Sequence, residues 1–372
     1  MKNRRSILAV LFVLNLSWFA AVASGQTAAG WKTEWERVLA AAKKEGRVVV
    51  LGPPGAGARK ALADGFQKSF PGIEVEYSGA TGPQQAARLL SERKAGQYLA
   101  DAYVGSTTVT LETLRPAGAL DPIGPGLILP DVIDAKKWLQ GRLDFSDDDG
   151  KYNLVFSTNV KPPAAINPKI TRKEEVNSYW DFLNPRWSGK IAMKDPTIPG
   201  PGSVGVIFWY STPGLGKEFI RKFFTQQKLT LTRDDRLLIE WIARGEHLIG
   251  LAHSDVIATG LIAKGLPIEP MSAEQFKEGS YLTAGFGSVA SMNRAPHPNA
   301  ARVYINWLLS KEGQTEWSKE SGYTSRRLDV PRDHLDPAVI PKEGLTYLPN
   351  YKEESVRLGP EVQSFLEGIL KK

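Results

Sequence analysis

RVVVLGPPGAG, residues 47–57, is an apolar β-branched run that breaks into a proline- and glycine-rich turn, with a helix-period segment following over 58–70. The same order returns twice. Residues 73–77 alternate as a strand, meet Gly79-Ala80-Thr81-Gly82, and give way to a helix over 84–95, with Pro83 where a helix start tolerates it. Residues 101–104 read as a third strand, followed by Ser106-Thr107-Thr108 and another helix. Strand, turn and helix in repetition specify a parallel α/β sheet, because parallel neighbours need a crossover that a helix supplies. Ligands of such sheets sit at the carboxyl ends of the strands, where these turns gather.

A second series begins after Pro185. Strands are expected at 190–193, 229–232 and 247–252. The first exits through a Pro/Gly loop over 195–202 into a helix start at 203–210. Helices at 234–243 and 255–264 follow the other two; the former carries Leu237, Leu238, Trp241 and Ile242 on one face. The expectation is an α/β protein of two lobes, each a mostly parallel sheet flanked by helices. Extended stretches at 152–166 and 285–292 are placed as the two hinge strands between them. The boundaries drawn are 1–25 for a signal peptide, 26–155 with 286–372 for lobe 1, and 156–285 for lobe 2. From Pro298 the tail reads as amphipathic helix, with Val303, Tyr304, Trp307 and Leu308 in a stripe.

The signal peptide rests on Lys2, Arg4 and Arg5, an apolar run over 7–23, and Ala21-Val22-Ala23 at cleavage spacing. The alternative is an uncleaved anchor, for which the run is short and softened by Asn15 and Ser17. Of 372 residues, 42% are hydrophobic and 23% charged, which suits a globular core and not disorder. The absence of cysteine excludes disulfides, thiolate metal sites and a lipid-modified cysteine. The formal charge of +7 includes the three cations of the first five residues. The remaining cations are interleaved with acids, as in Lys43-Lys44-Glu45, so no nucleic-acid surface is indicated.

Four blocks of the chain resemble type II periplasmic binding proteins of the ferric iron, polyamine and thiamine group (extracellular solute-binding protein family 1). They are LRPAGALDPI (114–123), LVFSTNVKPP (154–163), DFLNPRWSGKIAMKDP (181–196) and HPNAARVYINWLLSKEGQ (297–314), in the family's order. The resemblance runs from about 31 to 329. It implies two lobes closing on a small-molecule ligand in a cleft, export to the periplasm, and an inner-membrane ABC permease as partner. A monomer is expected. Iron-binding members carry a tyrosine pair after the strand that corresponds to 247–252. Here His253-Ser254-Asp255 stands instead, and ferric iron prefers hard anionic oxygen ligands. A ferric iron-binding protein is thus the alternative and not the main reading.

Gly52 to Gly57 has the outline of a phosphate-binding P-loop, but Ala58-Arg59 replaces the lysine and hydroxyl that nucleotide chemistry needs. A degenerate P-loop protein or a secreted enzyme is the rival of another class. None of the four histidines has metal-ligand spacing, and Asp147-Asp148-Asp149-Gly150 lacks EF-hand spacing and reads as a solvated turn. No catalytic residue, metal or cofactor is assigned. Ligand contacts are assigned to Pro54, Gly55, Thr81, Ser106 and Thr107 in lobe 1, and to Gly202, Ser203, Arg233, Ser254 and Asp255 in lobe 2. Turn N–H groups and hydroxyls suit an anion, and Arg233 suits a bidentate grip on a carboxylate or phosphonate. Asp255 beside Ser254 suits an amine. A zwitterion ranks first as cargo and a simple organic acid second. Each has a plainer reading: hydroxyls as helix caps, Arg233 on Asp235 or in solvent, Asp255 as a helix-dipole acid, and Phe208-Trp209-Tyr210 as core.

Overall fold

The computed structural model describes residues 30–371 apart from 199, 343 and 346. The expected signal peptide, and Pro199 of the second-lobe loop, lie outside the described residues. In the first lobe α1 (Gly30–Glu45) leads into β1 (Arg47–Gly52), then α2 (Ala56–Arg59), a π turn and α3 (Gly65–Ser69). The second unit is β2 (Glu74–Gly79) and α4 (Gly82–Lys94); the third is β3 (Ala102–Gly105) and α5 (Thr107–Val109), which continues as a π turn. These are the three repeated units, with β1 parallel to both β2 and β3.

The sheet is then completed in the opposite sense. β4 (Leu120–Asp121), β5 (Asp144–Phe145), β6 (Asn153–Val155) and β14 (Ser288–Met292) join it in the order β2-β1-β3-β14-β6-β5, with β4 also on β14. β14 is antiparallel to β3, β4 and β6. The sheet is therefore mixed, with a parallel half where the repeats lie. Its core draws on Val38, Val48, Val50, Leu62, Phe66 and Trp307, all buried. Short α6 (Pro130–Ile133) and the long pair α11 (Pro298–Leu309) and α12 (Lys311–Ser321) cover it. α1 packs along α11, through the apolar stripe read from the tail.

The second lobe holds β8 (Ala165–Ile166), β9 (Ile191–Lys194), β10 (Leu229–Thr232), β11 (Ile249–Leu251) and β12 (Glu269–Pro270), in the order β10-β9-β11-β8-β12. β9, β10 and β11 are parallel, and β8 runs against them. Its helices are α7 (Pro201–Ser211), α8 (Gly216–Gln226), α9 (Asp235–Arg244) and α10 (Asp255–Ile262). Phe208 and Trp209 are core, packed with Tyr179, Phe219 and Phe223. Each such ring contributes roughly 1.5–3 kcal/mol of burial.

Between the lobes β7 (Asn159–Val160) pairs antiparallel with β13 (Tyr281–Thr283), and β15 (Leu348–Pro349) adds a third strand parallel to β13. β7 lies within 152–166, the stretch placed as the first hinge strand, whereas 288–292 is a strand of the first sheet and the strand paired with β7 is β13, just before it. The tail also departs from expectation. α13 (Glu353–Arg357) contacts the first lobe, whereas Val362 and Leu366 of α14 (Gly359–Leu370) are buried in the second-lobe core against α7 and α8.

Candidate functional site

On the first-lobe side the strand exits are shaped by two tyrosines. Gly52 pairs with Gly79 at the ends of β1 and β2. The Tyr77 ring covers Gly52 so closely that a Cβ there would overlap it, and its hydroxyl donates to the Pro53 carbonyl at 2.5 Å. Tyr103 lies over Gly105 in the same way. The glycines at these exits thus answer to tyrosine packing, which removes the reason for a P-loop reading. Pro54 and Gly55 remain exposed at the rim. Thr81 is an N-cap: its N–H and hydroxyl both donate to Gln84 Oε1, at 3.1 and 2.8 Å. Ser106 opens α5, with its N–H 3.3 Å from the Tyr103 hydroxyl, and Thr107 is buried.

The second-lobe side is a row of ion pairs at the ends of β9, β10 and β11. Arg233 Nε donates to Asp195 Oδ2 at 2.9 Å while its side chain stays 71% exposed. Among the described residues no hydrogen bond engages its two terminal amino groups. Asp195 also accepts from the Thr197 N–H and hydroxyl. Burial alone would raise its carboxyl, but Thr197 and Arg233 outweigh that and hold it below the usual range. The partner of Arg233 is therefore Asp195 and not Asp235. Asp235 pairs with Lys194 and also accepts the Ser254 N–H at 3.0 Å. Ser254 in turn opens α10. The loop from β9 packs onto α7 through Gly202, where a Cβ would stand 2.5 Å from the Lys194 carbonyl oxygen and 2.7 Å from that of Asp195. Ser203 closes the turn, accepting from Gly200 N and donating to Gly200 O.

Asp255 is not a free carboxylate. Lys161, one residue past β7, donates to Asp255 Oδ1 at 2.5 Å and to the His253 carbonyl. Burial still raises the Asp255 carboxyl above the ordinary range against the pull of Lys161. His253 has no exposed surface, and neither ring nitrogen has a hydrogen-bond partner among the described residues. Burial, and then the Lys161 charge, push its imidazole well below the usual histidine range, so it is neutral. Tyr281 and Tyr323 complete the surroundings, their phenols raised by burial and by the Asp255 charge.

The expected residues thus fall at strand exits of both sheets, but they differ in what they leave open. Arg233, Pro54 and Gly55 are accessible; Thr81 and Ser203 are engaged in capping or turn contacts; Ser254 is held through its N–H by Asp235, with no cap from its hydroxyl; Asp255 and Thr107 are enclosed. Lys161, Lys194 and His253 were missed. The two lysines are marked in the sequence only by a cation at the end of an apolar run, in NVKPP and IAMK, and His253 by nothing local. A cavity of about 350 Å³ lies elsewhere, lined by Ile262, Ile268, Pro270, Asp336, Pro337 and Lys342 among others, and includes none of the expected residues. The acidic turn at 147–150 is also more than a solvated turn: Asp147 is buried and accepts three backbone N–H groups, while Asp148 and Asp149 pair with Arg357 and Arg115.

Two α/β lobes on a narrow β hinge, with polar loops at the strand ends, define a two-lobed receptor of type II periplasmic binding architecture. Residues 47–324 match the family described as bacterial extracellular solute-binding protein. The chain belongs to that family, and it is the solute-binding component of an ABC transporter, partnered by a small-molecule ligand and an ABC permease. No curated protein sequence matches it. Among solved structures it is similar to iron-bound HitA from Pseudomonas aeruginosa, at 18% identity over 87% of this chain and 99% of that one, with a TM-score of 0.65. AfuA from Actinobacillus pleuropneumoniae with fructose-6-phosphate bound is similar at 17% identity, over 87% of this chain and 98% of that one, TM-score 0.64. FutA (IdiA) from Trichodesmium, in complex with iron and citrate, is similar at 17% identity, over 88% of this chain and 100% of that one, TM-score 0.64. No described helix is long and apolar enough to cross a membrane.

Proposed function

We propose that the protein is exported through its N-terminal signal segment and, as a monomer, captures a small anionic organic solute between its lobes for import, releasing it chemically unaltered. The observation that carries the cargo class is Arg233. Asp195 fixes its guanidinium through Nε, which leaves the two terminal amino groups to form a fork suited to a carboxylate or phosphonate. The zwitterion that ranked first from sequence loses its place. Its amine needed Asp255, and Lys161 already neutralises that carboxylate. An incoming ammonium would have to displace a buried lysine from it. A simple organic acid needs no such displacement and now ranks first.

A thermal-shift screen of organic acids, phosphonates, amino acids, polyamines and ferric citrate tests this, because a ligand of the folded state raises its apparent stability. Organic acids or phosphonates raise the melting temperature of the wild type. A charge-assisted contact contributes roughly 1.5–3 kcal/mol, so Arg233→Ala weakens binding by about tenfold or more. A shift with ferric citrate alone that survives Arg233→Ala would refute the reading.

A further inference from the structure

We propose that residues 347–370 are a third connection between the lobes, a strap that bends at Leu358-Gly359-Pro360 and governs how freely the cleft opens and closes. The strap is fastened at both ends. At the hinge, β15 pairs with β13, and the Asn350 N–H donates to the Leu282 carbonyl at 3.1 Å. On the first-lobe side, the Tyr351 hydroxyl and Lys352 Nζ both donate to the buried carboxylate of Asp144, each at 2.5 Å. Arg326, itself 1% exposed, stands 3.2 Å from the same group. The Glu353 N–H donates to the Ser146 carbonyl, and its carboxylate takes Arg115 at 2.7 Å and the Asp148 N–H at 2.8 Å. Arg357, the last residue of α13, pairs with Asp148.

One residue further on, the strap belongs to the other lobe. Val362 and Leu366 of α14 are buried with α7 and α8, Gln363 donates to the Thr197 carbonyl at 3.2 Å, and Tyr210 bonds Glu361. The passage is made at Leu358, which already packs against the second-lobe core, and leaves only Gly359 and Pro360 before the contacts of α14 begin. Leu358 has helical angles, so α13 and α14 nearly form one helix. Pro360 has no N–H to give to the preceding turn, and the first bond of α14 runs from Val362 N to Leu358 O at 3.0 Å. Gly359 has no neighbour within 4 Å of a would-be Cβ, so packing does not demand a glycine there. The helix is interrupted at the one place where it passes from lobe to lobe. Any rotation of the lobes must be taken up at that point, in addition to β7 and β13.

The test needs no ligand, and it stands apart from the cargo assignment. The chain has no cysteine, so Lys94→Cys and Lys264→Cys, both exposed and one in each lobe, give a single spin-labelled pair. Pulsed electron resonance then reads the distribution of interlobe distances. Gly359→Ala/Pro360→Ala restores the missing donor and joins α13 to α14, and it narrows the distribution at least twofold. Glu353→Gln/Arg357→Gln loosens α13 from the first lobe and broadens it. Should the helix-joining variant misfold, Gly359→Ala alone and the loosened variant carry the test. Wild-type distributions in variants whose circular dichroism and melting are unchanged would overturn the proposal.

Discussion

Lys161 and Asp255 form the most enclosed ion pair on the second-lobe wall, with side chains only 6% and 12% exposed, and their removal is expected to be strongly non-additive. Truncating one partner of a buried pair leaves the other charge without compensation, at a cost of about 3–5 kcal/mol. Lys161→Met should lose stability in that range; Asp255→Asn should lose less, because burial already makes the ionised carboxyl costly there. The double variant removes both charges together and should lose much less than the sum, giving a coupling energy of at least about 2 kcal/mol. The pH dependence follows from the raised Asp255 carboxyl. A carboxyl whose folded pKa lies above its unfolded value contributes stability that is complete below the unfolded pKa and lost as pH rises through the folded one. The penalty of Lys161→Met is therefore largest at pH 7.5 and shrinks towards pH 4, where Asp255 takes up a proton. Urea unfolding of the four proteins measures it, with circular dichroism and tryptophan fluorescence compared to check that the transitions coincide. Single variants that each cost under 1 kcal/mol, or costs that add to within 0.5 kcal/mol, would refute the assignment of a tight buried pair, against the roughly 3–5 kcal/mol expected of Lys161→Met.

Gly202→Ala forces a methyl group against two carbonyl oxygens of the β9 exit; overpacking of this kind costs roughly 1–3 kcal/mol, read as a lower denaturation midpoint, and an unchanged midpoint would mean that α7 and the loop are not in this contact. His253 is neutral in the folded protein and titrates normally, near 6.5, in the unfolded chain. Stability should fall by about 1.4 kcal/mol per pH unit as pH drops below 6.5, for as long as the imidazole stays unprotonated, and His253→Gln should flatten that slope. Asp144 shows the opposite shift: burial would raise it, but Arg326, Lys352 and Tyr351 outweigh that and hold it low. Its stability contribution is present above the unfolded value near 3.8 and lost as pH falls through the folded one, so Asp144→Asn should cost about 3–5 kcal/mol at neutral pH and less in acid.

What the sequence makes legible is what its neighbours decide. The units built on β1, β2 and β3 stand out because strand period, turn and helix period succeed one another within about thirty residues, and the same holds from β9 to α10. Ion pairs carry no such local mark. Lys161 and Asp255 are 94 positions apart, Lys194 and Asp235 are 41 apart, and Arg233 and Asp195 are 38 apart. Asp255 at the start of α10 looks like an available acid, and only the fold brings Lys161 of the hinge to it. The strand paired with β7 was missed for a related reason. Residues 288–292 are a good strand by period, yet period does not say which sheet takes a strand, and β13 is too short to announce itself. The glycine-rich exits misled in the other direction. Gly52 opens a stretch with the outline of a phosphate loop, yet it makes room for Tyr77 of the neighbouring strand β2, as Gly105 does for Tyr103, two residues earlier on β3. A glycine at a strand end is evidence of close approach, and only the structure shows what approaches. Here it is a ring of the protein's own, so the anion-binding role we propose for the cleft is argued from Arg233 and not from the loop that first suggested it.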